Sequence, residues 1–295
     1  MVVELKAGDL IATFVPEAGM VGASLRHRGE EVLGQRGGLE AYVAERKTFG
    51  IPLLYPWANR LGRRRFTLAG RAVEIDPART PMRLDGNGLP MHGLLSARSG
   101  WEVERGDGAE VVARFDFAAH DDLIAAFPFP HVLTLHAALD AERLTITTTV
   151  EATGDAPVPI AFGFHPYLQL PDVPREAWHV KVPVEERLVL DEQMLPTGAR
   201  EPVQVEAGPL GTRTFDDAYV APRAPFALEG PDRRIELAFE RGYPYAQVFA
   251  PAGDALIAFE PMTAPTNALV DGRDLTLLAP GDRYRATFSI AVMGR

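Results

Sequence analysis

The sequence of 295 residues contains no cysteine. Disulfides, a thiol nucleophile and thiolate metal sites are therefore excluded. No stretch reaches the roughly 20 apolar residues that a membrane-spanning helix needs. The N-terminus, MVVELKAGDL, also lacks a basic segment followed by an apolar one, which a secretion signal would require. We therefore expect a soluble protein of the cytoplasm, with no membrane partner.

Basic residues are also fewer than acidic ones. Lysine and arginine together number 30 against 40 aspartate and glutamate residues, which gives a formal net charge of −10. Nucleic acids and anionic membranes call for a basic surface, so neither is an expected partner. Hydrophobic residues make up 46% of the chain and charged residues 24%, values typical of an ordinary folded globular protein.

The standard catalytic motifs are missing as well. The sequence has no Walker-type phosphate loop, no dinucleotide fingerprint after a strand, no His-Glu-x-x-His and no Gly-x-Ser-x-Gly. His131 and His136 are five residues apart on one predicted strand, so they face opposite sides and cannot pair as metal ligands. His92, His165 and Glu260 have the ligand types of a two-histidine, one-carboxylate centre, but their spacing is not specific to metal, and we expect none.

Turn-forming residues, in contrast, are abundant. The 27 glycines and 25 prolines divide the chain into short apolar or alternating runs, such as 9–15 and 20–26, and 66–75 is typical of a hairpin turning at Ala69-Gly70. Further strands are predicted at 109–117, 131–139, 142–150, 178–184, 233–239, 245–250, 255–260 and 284–292. One short helix is predicted within 38–47, and a long loop at 76–100 carries His92. The pattern indicates an all-β sandwich or barrel.

No internal repeat, low-complexity tract or linker-like stretch marks a domain boundary. A β domain of this length can fold as one unit. We therefore expect a single domain over residues 1–295.

Four stretches place a polar or ionisable residue at the edge of an apolar run or in a turn. They are YPWANR at 55–60, MHG at 91–93, AFGFHPYL at 161–168 and AFEP at 258–261. A single histidine among aromatics is more often a packed residue than a catalyst. Because a buried charge is unfavourable unless it is paired or used, several such residues together suggest a polar pocket in a largely apolar body.

Five segments carry a family resemblance. They are PWANRLGRRRF at 56–66, MHG at 91–93, FHPYL at 164–168, FDDAYV at 215–220 and FEPMTAPTNAL at 259–269. In this order, and across most of the chain, the sequence resembles the aldose 1-epimerases, or galactose mutarotases. The resemblance implies a large antiparallel β-sandwich, the galactose mutarotase-like supersandwich, with a sugar held in a cleft on one sheet. It implies no cofactor.

The resemblance also implies roles for two residues. Glu260 matches the general base that takes the proton from the C1 hydroxyl, and His165 matches the acid that protonates the ring oxygen. The ring then opens to an aldehyde, rotates about C1–C2 and closes on the other face. A histidine titrates near neutral pH, and an enclosed carboxyl can have its pKa raised, so proton transfer in both directions is feasible.

Four further residues match positions that bind the sugar. Arg60 and His92 match donors to sugar oxygens, and Asn59 precedes Arg60 as in the family. The family's acidic residue lies three positions before an aromatic. That spacing favours Asp216, three residues before Tyr219, over Asp217 as the residue that binds sugar hydroxyls.

Simpler interpretations stand beside these. Arg60 could belong to a solvated basic set with Arg63, Arg64 and Arg65, and Glu260 could be a solvated carboxylate at a strand end. The aromatic residues near the matched motifs could pack in the core or face the sugar. These residues are Trp57, Phe162, Phe164 and Tyr167.

The leading functional hypothesis is an aldose 1-epimerase, an isomerase of carbohydrate metabolism that acts on a free aldohexose such as glucose or galactose. A rival is a hexose-6-phosphate mutarotase in which Arg63 to Arg65 hold the phosphate. A third hypothesis is a non-catalytic sugar-binding or sensor protein of the same fold. The sequence leaves open the physiological sugar and the oligomeric state.

Overall fold

The computed structural model describes residues 1–294, apart from the side chain of Asp107. Strands hold about 48% of the residues and helices about 9%, which confirms the all-β class. No helix within this described part of the chain is long and apolar enough to cross a membrane.

The largest sheet, called here the back sheet, has nine antiparallel strands. In spatial order they are Glu102–Asp107, Glu110–Asp116, His131–Leu139, Arg143–Ala152, Arg283–Gly294, Arg233–Arg241, Phe226–Glu229, His179–Lys181 and Gly208–Pro209. The C-terminal strand, Arg283–Gly294, lies at the centre and pairs with Arg143–Ala152 on one side and Arg233–Arg241 on the other. The last strand of the chain therefore joins the two halves of this sheet.

The second sheet, called here the cleft sheet, has eight antiparallel strands. In spatial order seven of them are Pro196–Pro202, Glu186–Leu190, Phe215–Val220, Tyr245–Ala250, Ile257–Met262, Gly163–Phe164 and Leu53–Leu54, and Tyr167–Leu168 pairs with Ile257–Met262. Three of the four stretches singled out by sequence, around residues 55–60, 161–168 and 258–261, thus lie in or beside neighbouring strands.

Smaller elements surround the two sheets. A four-stranded N-terminal sheet contains Val3–Ala7, Leu10–Val15, Val21–His27 and Glu30–Glu31. There are also three two-stranded ribbons, which pair Arg65–Leu68 with Arg71–Glu74, Arg83–Leu84 with Pro90–Met91, and Val158–Ile160 with Thr276–Leu278. The α-helices are Gly38–Glu45, Asp121–Ala126 and Ala268–Asp271, and the 3₁₀ helices are Pro16–Ala18, Phe117–Ala119 and Arg175–Ala177.

Aromatic contacts join the two large sheets. Phe226 of the back sheet stacks on Phe259 of the cleft sheet with ring centroids 4.8 Å apart, and Phe288 packs against Phe164 at 5.0 Å. Burying a phenylalanine side chain contributes about 1.5–3 kcal/mol, so these pairs hold the layers together. The predicted antiparallel β-sandwich is confirmed.

The predicted strands and the predicted hairpin are present, but several observed strands were not predicted, among them the edge strand Pro196–Pro202. Pro196–Pro202, PTGAREP, contains two prolines and a glycine, which normally signal a loop. It pairs only with Glu186–Leu190 at the edge of the cleft sheet, where a proline need not donate a ladder hydrogen bond. The predicted helix at 38–47 is Gly38–Glu45, and it ends because Arg46 adopts a left-handed backbone with φ 55°.

Candidate active site

Glu260 is positioned by the alternation of its strand. Phe259 points into the core between the sheets, so the next side chain points to the opposite face of the cleft sheet. That face is covered by loops, and Glu260 is only 2% exposed. The interpretation of Glu260 as a solvated strand-end carboxylate is therefore wrong.

His165 reaches the same point by the same alternation. Phe164 anchors the strand in the core against Phe288, and His165 then emerges on the cleft face. Its Nε2 lies 3.0 Å from Oε1 of Glu260. Tyr167 stacks on the imidazole with ring centroids 4.2 Å apart, and its hydroxyl lies 3.3 Å from the same Nε2. The imidazole is thus fixed from one face and at one nitrogen.

Asn59, Arg60 and His92 come from two loops that pair with each other. The backbone N–H of His92 donates to the carbonyl of Asn59 at 2.7 Å. Arg60 and Met91 form an isolated antiparallel β-bridge. Asn59 and His92 both adopt left-handed backbones, with φ of 57° and 63°. Non-glycine residues in this region cost of order 1 kcal/mol or more and cluster at functional sites.

Gly93 explains how the His92 loop approaches so closely. Its φ is 74°, and a Cβ atom built on it would lie 2.1 Å from the carbonyl oxygen of Tyr55. Only glycine fits that position. The Met91-His92-Gly93 motif is therefore a local structural requirement for presenting His92 to the cleft.

Asp216 and Asp217 lie on opposite faces of one strand. Asp216 shares the cleft face with Gln247, whose Nε2 donates to its Oδ1 at 2.8 Å, and it is open to solvent at the rim. Asp217 turns to the other face and lies 3.4 Å from Arg187. The choice of Asp216 by its spacing to Tyr219 therefore selects the carboxylate that faces the cleft.

The structure brings all six sequence-predicted site residues into one cavity of about 100 Å³. Its lining consists of Arg36, Asn59, Arg60, Arg83, Met91, His92, His165, Tyr167, Asp216, Gln247, Phe249 and Glu260. The surface depression around Glu185 and Arg223 is larger, at about 910 Å³, but none of its lining residues belongs to the predicted set.

Unpartnered polar atoms are concentrated in this cleft. Among the described residues, five buried side-chain atoms that line it have no hydrogen-bond partner within the protein: Asn59 Oδ1, His92 Nδ1, His165 Nδ1, Gln247 Oε1 and Glu260 Oε2. Leaving a buried polar atom unpaired costs about 1–3 kcal/mol. Such a set indicates a site made for a ligand that carries several hydroxyl-type groups.

The electrostatics of the cleft favour neutral side chains. Burial raises the pKa of Glu260 well above its usual value, and the negative charge of Asp216 acts in the same direction. Burial also lowers the pKa of His165 to about 3, with the positive charges of Arg83 and Arg36 adding to the effect. Contact with water is lost for both groups, which favours the neutral form of each, a carboxylic acid and a neutral imidazole.

The pKa of His92 is lowered, as is that of His165. Burial lowers its pKa well below the usual value, and the neighbouring His165 and two arginines oppose a further positive charge. Its ring meets that of His165 edge to face, with centroids 5.6 Å apart. Both effects favour the neutral form of the His92 imidazole.

Within residues 1–294, no group of three or more histidine, aspartate or glutamate side chains is placed to hold a metal ion. His92, His165 and Glu260 share the cleft without forming such a group.

The arginines divide into two sets. Arg60 is largely buried, with its side chain 11% exposed, and lies 3.2 Å from Asp85. The side chains of Arg63, Arg64 and Arg65 are exposed, and none of these three described residues lines the cleft. The interpretation of Arg60 as one of a solvated basic set is therefore wrong.

The aromatic residues also divide. Trp57, Phe162 and Phe164 are buried in the core, whereas Tyr167 is buried and lines the cleft. Sequence analysis missed Phe249 and Gln247, although their strand alternates these residues with small apolar ones, which is a usable signal.

Arg36 and Arg83 were also missed, and the reason differs. Arg36 lies in a loop, and Arg83 lies in a two-residue strand inside the predicted long loop. Neither position carries a signal in the sequence.

Solved structures identify the fold class. The chain superposes on a galactose mutarotase-like protein from Clostridium acetobutylicum with a TM-score of 0.85 and 18% identity, covering 100% of this chain and 95% of that one. It matches an aldose epimerase homologue from C. elegans with a TM-score of 0.79 and 18% identity, covering 100% of this chain and 99% of the homologue. The galactose 1-epimerase of Lactobacillus acidophilus matches with a TM-score of 0.76 and 14% identity, covering 98% of this chain and 92% of the epimerase. The architecture is that of the galactose mutarotase-like β-sandwiches.

The sequence identifies the family. The family model described as aldose 1-epimerase matches residues 1–291, and the chain belongs to that family. It is also 24% identical over 306 aligned residues to the uncharacterised protein YihR of Escherichia coli K12, covering 98% of this chain and 92% of YihR.

Proposed function

We propose that the protein is an aldose 1-epimerase that interconverts the α and β anomers of an aldohexose by acid–base ring opening. The observation that carries the proposal is the 3.0 Å contact between His165 Nε2 and Glu260 Oε1 at the base of a cleft lined by unpartnered polar atoms. Such a pair supplies both the base and the acid that ring opening requires.

The reaction conserves the proton held by this pair. Glu260 as carboxylate takes the proton of the C1 hydroxyl while His165 as imidazolium gives one to the ring oxygen. The C1–O5 bond breaks, C1–O1 becomes a carbonyl, and the pair is left as carboxylic acid and imidazole. The raised pKa of Glu260 and the lowered pKa of His165 favour these two forms.

The reactive form of the pair is reached by moving one proton across the 3.0 Å contact. A sugar hydroxyl that donates to the unpartnered Glu260 Oε2 stabilises the carboxylate and so favours this transfer. After rotation about C1–C2, the same two groups reverse their roles and close the ring on the other face. The cycle needs no net uptake of a proton from water.

The remaining polar residues suit recognition of a sugar. Arg60, His92 and Asn59 can donate hydrogen bonds to sugar oxygens, and Asp216 can accept from hydroxyls. Phe249 places its ring beside His165, with centroids 5.6 Å apart, and offers an apolar wall to the carbon face of a pyranose.

Three expectations from the sequence remain proposals. They are a single domain over residues 1–295, a location in the cytoplasm and independence from any cofactor. The family match over residues 1–291 supports the first.

Polarimetry on freshly dissolved α-D-glucose and α-D-galactose, with and without the protein at neutral pH, tests the function. We expect a faster approach to an unchanged final rotation, and the same acceleration in the presence of a chelator. Binding of a sugar without any acceleration would instead favour the non-catalytic sensor, and would overturn the proposal.

A further inference from the structure

Two arginines at one end of the cleft have no part in the proton transfer described above. Arg36 Nη1 donates to the hydroxyl of Tyr167 at 3.1 Å, and that hydroxyl lies 2.7 Å from Thr48 Oγ1. Arg83 Nη1 donates weakly to the same Thr48 oxygen at 3.4 Å. Both guanidinium groups thus gather around the tyrosine that stacks on His165.

The positive charges in the cleft are neutralised unequally. Arg60 lies 3.2 Å from Asp85, and Arg36 lies 3.7 Å from Asp254. Among the side chains that the structure describes, no carboxylate lies within ion-pair distance of Arg83. In a protein of net charge −10, a partly buried arginine without a carboxylate partner, beside a loosely paired one, makes a local site for an anion.

Arg36 and Arg83 border a second cavity as well as the catalytic cleft. A second cavity of about 590 Å³ shares Arg36 and Arg83 with the cleft and carries Lys47 on its wall. A substituent on the sugar ring could therefore extend between the two arginines without displacing the ring from His165 and Glu260.

The chemistry of the ring indicates which carbon would carry that substituent. In the proposed mechanism His165 acts on the ring oxygen O5. O5 is bonded to C5, and C5 carries C6, so a group on C6 lies on the His165 side of the ring. Arg36 is separated from His165 by Tyr167 alone, through contacts of 3.1 and 3.3 Å.

We propose that the preferred substrate is an aldohexose with an anionic, oxygen-bearing group on C6, held between Arg36 and Arg83. Phosphate, sulfate, sulfonate and carboxylate share this chemistry. The inference rests on the proposed function, because it takes the position of O5 from the role given to His165. It assigns the anion to Arg36 and Arg83 in place of the exposed run from Arg63 to Arg65.

The anion would also act on the catalytic pair. The charges of Arg83 and Arg36 contribute to the low pKa of His165. A bound anion offsets those charges and so favours the imidazolium that protonates the ring oxygen. Substrate binding and activation of the acid are coupled in this way.

Turnover of matched sugars tests the inference. Anomer exchange is measured by NMR for glucose, glucose 6-phosphate, glucose 6-sulfate and glucuronate. We expect at least one anionic sugar to exceed glucose in kcat/KM by about tenfold or more, as a charge-assisted hydrogen bond allows. The three anions distinguish a tetrahedral phosphate or sulfate from a planar carboxylate.

Arginine variants locate the anion. Arg83→Gln and Arg36→Gln should each lower the ratio of kcat/KM for the anionic sugar to that for glucose by about tenfold. Arg63→Gln is the matched control, because it removes the same charge from an exposed side chain outside the cleft. Circular dichroism establishes that each variant is folded. Equal turnover of neutral and anionic sugars, or a ratio that changes only in Arg63→Gln, would overturn the inference.

Calorimetric binding of glucose and glucose 6-phosphate separates this inference from the proposed function. Tighter binding of the phosphate sugar that depends on Arg83, without turnover of any sugar, would refute the epimerase and leave the anion site standing. Turnover of glucose with no preference for an anion in either assay would refute the anion site alone.

Discussion

His131 and His165 are two buried histidines in different regions of the protein, and they differ in their hydrogen bonding. His131 lies in the back sheet with no exposed surface, and His165 lies under the cleft with 4%. Burial lowers the pKa of His131 to about 4 and that of His165 to about 3. Burial and a shifted pKa therefore do not separate the structural His131 from His165, the histidine proposed as catalytic.

Hydrogen bonding does separate them. His131 Nε2 lies 2.6 Å from the hydroxyl of Tyr55, and its Nδ1 lies 2.5 Å from the carbonyl of Phe129. His165 Nδ1 has no partner within the protein, and its Nε2 faces the carboxyl of Glu260. A buried polar group normally has its partners in the fold, so an unpaired one beside an ionisable neighbour indicates function.

The largest expected effect comes from the carboxyl that distinguishes the two histidine sites. Glu260→Gln keeps the shape and hydrogen-bonding capacity of the side chain but removes the proton acceptor. We expect turnover to fall by about 10²–10⁴-fold, while sugar binding, measured by calorimetry, is largely retained. A variant that exchanges anomers at close to the wild-type rate would show that Glu260 is not the base.

The matching substitution in the back sheet should affect stability instead. His131→Phe leaves the hydroxyl of Tyr55 and the carbonyl of Phe129 without their partner, which costs about 1–3 kcal/mol for each group that stays unpaired. We expect a lower free energy of unfolding in urea and an unchanged rate per folded molecule. Unchanged stability would mean that these hydrogen bonds do not hold the site together.

The sequence predicted which residues form the cleft more readily than which of them lie close together. Once 255–260 was predicted as a strand, alternation alone would place Glu260 and Phe259 on opposite faces. The approach of His92 to Asn59 depends on pairing between loops far apart in the chain, and periodicity does not encode such contacts. The family resemblance supplied that information.

Parts of the fold were beyond both kinds of reasoning. The edge strand Pro196–Pro202 contains prolines that usually mark loops, and its edge position makes them acceptable. Arg36 and Arg83 reach the cleft from irregular segments, where no pattern fixes the direction of a side chain. These are tertiary effects, and a single sequence does not reveal them.

A smaller effect is expected at the rim of the cleft. Asp216→Asn removes a charged acceptor for sugar hydroxyls, and loss of one such bond should raise KM by about tenfold. Asp217→Asn is the matched control, because it lies on the other face of the same strand and contacts Arg187. Equal KM values for the two variants would remove Asp216 from the binding site.

A separate effect is expected on the pH dependence of stability. Because the pKa of His165 falls from 6.5 to about 3 on folding, its contribution to stability is complete above pH 6.5 and is lost as the pH falls toward 3. His165→Asn should therefore lose less stability than the wild type between pH 6.5 and 4 in thermal unfolding. A parallel decline in both proteins would contradict the shift.

Glu260 should affect the pH dependence of stability in the opposite direction to His165. Its pKa is raised on folding, so its contribution is complete below pH 4.5 and is lost as the pH rises toward its folded value. The Glu260→Gln variant should consequently gain stability relative to the wild type as the pH increases. A difference that stays constant with pH would contradict this assignment.

The most direct test of the account is the anomer exchange rate of an aldohexose at equilibrium, measured by NMR for the wild type, His165→Asn and His131→Phe at equal concentrations of folded protein. We expect a fall of about 10²–10⁴-fold for His165→Asn and a rate close to that of the wild type for His131→Phe. Equal rates for the wild type and His165→Asn would contradict it.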